Sequence, residues 1–411
     1  MHLSVNMLRG GESITEQELR SHLALALRME NVGVLFGAGA SIDAGGKSMA
    51  GIWDNVIKAD PELKPKLVDE SYISNEDGTP DLEALIAKLE LSKADLSRSD
   101  METDRYREID ARLNQIRRAI VEAVMLSNEL WDYSDGSREA ILTPYNRLLA
   151  RLQGSRQPGQ SAPWVFTTNY DLSIEWAAEL LGIHIVNGFS GLHQRRFQPN
   201  AFDLSLQNSH ASGEARFGSY NLNLVKLHGS ISWQLDHDDE PIESAASSIY
   251  EGLRNFVDGS SSEFEPLLIQ PRTAKYVDSV GFIYGELARR FTEFLSRPNT
   301  TLIVCGYGFG DKHINRLLLS GLWNPTLQLV IYHPEWAEGE EIGHPFVKRL
   351  VSLALPRVLI RGGGEAAYFE PMTRDLPDPA MTDGLSSEAK KLLSQLARGF
   401  TGGEPEPKAE G

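Results

Sequence analysis

Val32-Gly33-Val34-Leu35-Phe36-Gly37-Ala38-Gly39-Ala40-Ser41-Ile42-Asp43 opens on apolar, β-prone residues and closes in a run of small ones. A buried strand that stops in glycines lets backbone approach a phosphate closely, and a helix following it would aim its first N–H groups at the same anion. Gly37, Ala38, Gly39, Ala40 and Ser41 are therefore candidate phosphate-turn residues. The same run also suits a tight strand-to-helix turn that holds nothing. Two later stretches bear on the choice: Thr167-Thr168-Asn169-Tyr170-Asp171 and Lys226-Leu227-His228-Gly229-Ser230.

Outward from this stretch the chain alternates in character. Thr15 and Glu18 form a capping box before the helically spaced Leu19, Leu23, Ala26 and Leu27. Beyond the glycine turn, Ile42–Gly46 reads as loop and Met49–Ile57 as helix. Within Pro80–Ser127, one amphipathic face runs through Leu82, Leu85, Ile86 and Leu89, and another through Tyr106, Ile109, Leu113, Ile116, Ile120 and Val124. That pattern predicts a helical insertion, either completing its own core or presented to a partner. Further helices are expected at Ile141–Leu152, Leu172–Leu181, Val280–Leu295, His313–Leu322, Phe346–Leu353 and Ser386–Leu396. Further strands are expected at Trp164–Thr168, Ile183–Val186, Leu222–Leu227, Leu267–Gln270, Thr301–Cys305, Leu327–Tyr332 and Val358–Ile360. Gly154–Ser161 reads as a linker, Phe189–Tyr220 as a long functional loop or lid, Asp236–Asp239 and Ser244–Ser262 as surface loops, and Thr401–Gly411 as a disordered tail.

Apolar strands alternating with helices predict an α/β fold: a Rossmann-like parallel sheet with helices on both faces, plus a helical insertion. The expected organisation is an N-terminal helix (1–30), a Rossmann-like binding and catalytic domain (31–79 and 136–362), the insertion (80–135), a C-terminal helical segment (363–398) and the tail (399–411). In such a sheet the ligand lies at the carboxyl ends of the strands. The glycine turn, Asn169/Asp171, His228/Gly229 and Gly306–Asp311 each follow directly on an expected strand.

Composition narrows the function classes. With 40 Lys+Arg against 57 Asp+Glu, the net charge is −17, a poor balance for direct nucleic-acid binding. A single cysteine, Cys305, excludes disulfides within the chain and a cysteine-based zinc site, so no zinc is expected. Residues 1–11 lack signal-peptide shape, and no run approaches the roughly 20 apolar residues of a membrane span. The expectation is a soluble, cytoplasmic protein without membrane association.

A rim of this kind suits a dinucleotide. The Gly37–Ser41 turn can hold a pyrophosphate, and Gly306–Asp311 gives a second close backbone approach, suited to the adenosine half. Asn169 offers a donor and an acceptor for a ribose hydroxyl or a water. His228 can accept a proton near neutral pH. The histidines are scattered without metal-ligand spacing, and the acidic loop around His237 reads as a solvated surface. What remains is chemistry with a built-in leaving group: nicotinamide departs from its ribose and water traps the oxocarbenium-like sugar.

At these residues the sequence resembles the sirtuin superfamily, and most of all its bacterial NAD-hydrolase branch of anti-phage defence systems. Phe36-Gly37-Ala38-Gly39-Ala40-Ser41 is similar to the family's glycine motif, Thr167-Thr168-Asn169-Tyr170-Asp171 to its T-x-N-x-D motif, and Leu227-His228-Gly229 to its histidine motif. Gly306-Tyr307-Gly308-Phe309-Gly310-Asp311, with Ile314-Asn315, resembles its distal nucleotide-binding turn. The four-cysteine zinc module and the G-I-P-D-F-R segment of deacylating sirtuins are missing; Asp43-Ala44-Gly45-Gly46-Lys47-Ser48 stands at the latter's place. The resemblance implies NAD+ hydrolysis to nicotinamide and ADP-ribose, with water as acceptor. It assigns Asn169 to the nicotinamide ribose and attacking water, His228 as base and Asp171 as their support. It places Gly37, Ala38, Gly39, Ala40, Ser41, Asp43, Thr168, Gly306, Tyr307, Gly308, Asp311 and Asn315 around the nucleotide. It also implies control within a homo-oligomer or by a HerA-type hexameric ATPase partner. A non-catalytic NAD or ADP-ribose sensor or scaffold, and a deacylase or ADP-ribosyltransferase, are the competing functions.

Overall fold

The computed structural model of the chain describes residues 6–74, 80–97, 104–134, 136–157, 159–204, 206, 210, 221–238, 240–261, 277–336 and 341–379. Its strands, in chain order, are β1 (Met7–Arg9), β2 (Glu12–Ser13), β3 (Asn31–Phe36), β4 (Trp164–Thr167), β5 (His184–Val186), β6 (Phe189–Ser190), β7 (Arg195–Phe197), β8 (Asn221–Lys226), β9 (Trp233–Leu235), β10 (Pro241–Glu243), β11 (Thr300–Cys305), β12 (Leu327–Tyr332) and β13 (Val358–Arg361).

The expected α/β fold is present. Nine strands form one sheet in the order β2-β1-β13-β12-β11-β3-β4-β8-β5. It is parallel from β13 through to β5, with registers such as Ile303 beside Val34 and Val34 beside Val165. Strands β3, β4, β8 and β11 are buried along their whole length, because helices cover both faces. Side chains alternate between two cores. Val32, Val34 and Phe36 of β3, with Ile303 and Cys305 of β11, pack on one face with the helices Glu16–Ala26, Thr143–Gly154 and Ser173–Leu180. Leu35 of β3, with Leu302 and Val304 of β11, faces the helices Val277–Ser296 and Lys312–Gly321 on the other.

Gly33, inside β3, makes room for an aromatic ring: a Cβ built there would lie 2.6 Å from Cζ of Phe294. Gly33→Ala is expected to lower the urea midpoint, at a cost of about 1–3 kcal/mol from overpacking.

The helices Met49–Ala59, Leu63–Asp69, Leu82–Ser97 and Asp104–Met125 build a third apolar cluster, from Ile52 and Trp53 through Leu85 and Leu89 to Leu113 and Ile116. Among the described residues no helix is long and apolar enough to cross a membrane.

Several expectations need correcting. The N-terminal stretch adds an antiparallel edge hairpin, β1–β2, pairing with β13. Strands of three and two residues are too short to show a period. Phe189–Tyr220 is no uniform loop: β6 and β7 join β9 and β10 in a second, antiparallel sheet ordered β6-β7-β10-β9, and Pro199–Asp203 is a 3-10 turn. Ser244–Ser262 is largely the helix Ala246–Val257, which buries Ile249, Leu253 and Phe256. That helical spacing was present in the sequence, masked by serines and by a missing cap. The expected single helix Ile141–Leu152 is two, Ser137–Ile141 and Thr143–Gly154. The expected strand Leu267–Gln270, the helix Ser386–Leu396 and the tail Thr401–Gly411 lie outside the described residues.

Candidate functional site

Strands β11, β3, β4 and β8 are neighbours and parallel, so their carboxyl ends leave the sheet on one rim. The tips that follow are Gly306–Asp311, Gly37–Ser41, Thr168–Asp171 and Leu227–Gly229.

The two glycine turns touch backbone to backbone. Gly39 donates its N–H to Gly306 O at 2.9 Å. A Cβ on Gly37 would sit 2.6 Å from Gly306 O, and one on Gly306 would sit 2.3 Å from Ala40 N. Gly306 has φ +67°, the left-handed region that glycine enters without a Cβ penalty. From behind, the buried Tyr145 hydroxyl donates to Ala40 O at 2.6 Å, and burial pushes its pKa well up, so it stays a protonated donor.

As the loop expected at Ile42–Gly46 implies, no α-helix follows directly on the glycine turn. Ala38–Ala40 and Ile42–Ala44 are 3-10 turns, and the α-helix begins only at Met49. This changes which amides can meet an anion. Gly39 N is bonded to Gly306 O, Ala40 N to Gly37 O, and Ser41 N to Ala38 O. Among the described residues, the backbone N–H groups of Ala38, Ile42 and Asp43 are the ones here that meet no backbone carbonyl.

Asn169 is fixed by its amide nitrogen. Nδ2 donates to Gly37 O and to Ser41 Oγ, both at 2.9 Å. A carbonyl only accepts, so the nitrogen must face Gly37 and Oδ1 must point the other way. Ser41 passes its own hydrogen to Asp171 Oδ2 at 2.6 Å. The other oxygen of Asp171 accepts from Ser173 N at 3.0 Å and Ser173 Oγ at 2.6 Å, at the start of the helix Ser173–Leu180. Asp171 therefore supports Asn169 through Ser41.

At His228 the carboxylate is a different one. Nε2 lies 2.9 Å from Asp311 Oδ2, with both side chains largely buried. Asp311 also caps the helix Lys312–Gly321, its Oδ1 accepting from His313 N at 2.7 Å and Ile314 N at 3.1 Å. Burial works against its charge, but the hydrogen bonds from His228 and from these two amides outweigh it and hold the carboxyl below its ordinary range.

Not every expected ligand residue faces the rim. Tyr307 is buried, its hydroxyl donating to Asp311 O at 3.1 Å and Asn315 Oδ1 at 3.2 Å. Asn315 is buried too, and its Nδ2 donates to Phe309 O at 2.7 Å. Both shape the turn from beneath. Gly308 is exposed with open space above it, Asp43 is exposed, and the half-buried Thr168 donates its N–H to Phe36 O at 3.0 Å. Cys305 is fully buried and its thiol is pushed up by burial, which makes it inert. In the acidic loop, Asp236 accepts from Arg196 at 2.5 Å and from the N–H groups of Asp238 and Glu240, closing the β9–β10 turn.

Sequence inspection missed Tyr145 and Lys226. Lys226, the last residue of β8, is 1% exposed, and its ammonium reaches Tyr170 O, Asp171 O and Glu175 Oε1. A charged residue closing an otherwise apolar strand was the available signal.

Residues 163–322 match a family model described as SIR2-like domain. This part of the chain is similar to that domain. The match takes in the Asn169–Asp171 loop, His228 and the Gly306–Asp311 turn, and leaves β3 with its glycine turn outside. No curated protein matches the chain. A solved structure described as "The Structural basis for Sirtuin Substrate affinity" is similar at 12% identity and a TM-score of 0.31, over 88% of this chain and 96% of that one.

Proposed function

We propose that the chain hydrolyses NAD+ at its N-glycosyl bond, releasing nicotinamide and ADP-ribose. The observation that carries this is the convergence of Asn169 and His228 on adjacent strand tips, β4 and β8, beside two glycine turns in backbone contact. The SIR2-like match over residues 163–322 supports a nicotinamide dinucleotide as substrate. The Ala38, Ile42 and Asp43 amides take the pyrophosphate. Oδ1 of Asn169, directed away from Gly37, holds a ribose hydroxyl or the attacking water, and His228 removes a proton from it. Within the same proposal, the activity belongs to anti-phage defence, and assembly into an oligomer or a HerA-type ATPase partner restrains it.

The test is to incubate purified protein with NAD+, assay NAD+, nicotinamide and ADP-ribose, and record oligomer size in the same sample. The wild type is expected to release nicotinamide, and Asn169→Ala or His228→Ala to reduce the rate by at least about 100-fold. Tight binding of NAD+ that stays intact after long incubation would replace hydrolysis with a sensor role. Release that requires an added acyl-lysine peptide would replace it with deacylation.

A further inference from the structure

We infer that Tyr145 is a positioning residue for the nucleotide turn: by drawing off the Ala40 carbonyl it keeps the Asp43 amide open to a phosphate oxygen. The inference rests on the proposed seating of the pyrophosphate at the Ala38, Ile42 and Asp43 amides. Two 3-10 turns, Ala38–Ala40 and Ile42–Ala44, meet at Ser41 instead of running on as one helix. In a continuous helix Ala40 O would accept from Asp43 N, in 3-10 form, or from Ala44 N, in α form. Among the described residues neither bond is made. Ala44 N turns to Ser41 O at 3.1 Å, and Gly46 N joins it there at 2.8 Å. Ala40 O accepts instead from the Tyr145 hydroxyl at 2.6 Å. The Ser41 and Ser173 hydroxyls beside Tyr145 give their hydrogens to Asp171, so the Tyr145 hydrogen is the one left for Ala40. Tyr145 is well placed to hold this bond. It is 1% exposed, sits on the helix Thr143–Gly154, and its ring lies 4.7 Å from that of Phe369. Asp43, exposed and with no backbone carbonyl on its N–H, is the residue this arrangement leaves ready.

Tyr145→Phe tests this, since the ring and its packing stay and only the hydroxyl goes. Ala40 O is then a buried carbonyl without a donor, and the first turn winds on to supply one. Either continuation engages Asp43 N, with Ala40 O in a 3-10 helix or with Gly39 O in an α-helix. The expected result is a KM for NAD+ and a Kd for ADP-ribose each higher by about 10-fold, the worth of one hydrogen bond to a charged group. The kcat should stay within a few-fold of wild type. Hydrogen exchange at the Asp43 amide is followed in protein carrying 15N-labelled aspartate. It should be fast in ligand-free wild type, slowed by added ADP-ribose, and markedly slower in ligand-free Tyr145→Phe. Tyr332→Phe is the control, because it removes another buried hydroxyl, bonded to Asp375 at 3.1 Å; its KM and Kd should match wild type. A slow Asp43 amide in ligand-free wild type overturns the inference, as does unchanged exchange in Tyr145→Phe. A fall in kcat at unchanged KM also overturns it, and would make Tyr145 a support of Asn169. An equal rise of KM in Tyr332→Phe overturns it as a general loosening of the fold. Exchange in the ligand-free proteins needs no turnover, so it separates failure of this inference from failure of NAD+ hydrolysis.

Discussion

Lys226→Met is expected to destabilise the fold by about 3–5 kcal/mol, the usual consequence of removing one member of a buried ion pair. The ammonium donates to Glu175 Oε1 at 2.8 Å and also joins β8 to the carbonyls of Tyr170 and Asp171. Methionine fills similar volume but leaves the half-buried Glu175 carboxylate without its cation and Asp171 O without this donor, while Tyr170 O keeps the N–H of Ile231. Burial already pushes the Glu175 carboxyl above its ordinary value, against the pull of Lys226. A carboxyl with its folded pKa above its unfolded one favours the folded state at low pH, and that contribution is lost as pH rises through the folded value. Without Lys226 the rise becomes larger. Urea midpoints followed by tryptophan fluorescence should therefore separate wild type and variant modestly at pH 5 and widely at pH 8. A separation that does not depend on pH would show that Glu175 does not rely on this lysine. Activity should fall with stability, because Lys226 ties the segment after Asn169 to the strand that presents His228.

Gly306→Ala is the second large effect, roughly 2–5 kcal/mol from a left-handed backbone plus overpacking. The new Cβ would meet Ala40 N at 2.3 Å and Gly39 C at 2.8 Å, both main-chain atoms that cannot rotate aside. Relief requires the two turns to part, which breaks the Gly39 N–Gly306 O bond and displaces Gly37, to which Asn169 is fastened. Gly308→Ala and Gly310→Ala serve as controls, since open space surrounds both positions. Their urea midpoints should match wild type, while that of Gly306→Ala drops sharply. Three equal midpoints would mean that the turns do not press together in solution.

Much of this arrangement was legible in the sequence. Val32–Phe36, Trp164–Phe166 and Leu302–Cys305 are runs without charged or strongly polar residues because parallel strands covered on both faces have no solvent side to mark with polar residues. The small or polar residues that end each run announced strand tips, and parallel strands put such tips on one rim. The second sheet was not legible. Its strands are two or three residues long, and Phe189, Phe197 and Trp233 hold it together by packing across sequence-distant segments, with ring centroids 5.3 Å and 4.8 Å apart.

By itself the sequence determined the α/β architecture, the sheet rim on which the motifs gather, and the candidacy of Asn169 and His228. Only the tertiary structure decided that Asp311 rather than Asp171 stands beside His228, that Ser41 links Asp171 to Asn169, and that most amides of the Gly37–Ser41 turn are already bonded to backbone carbonyls. The reason is range. Strand character and turn chemistry are set by neighbours along the chain, whereas a partner 83 residues away is chosen by strand order and register, which no local pattern encodes.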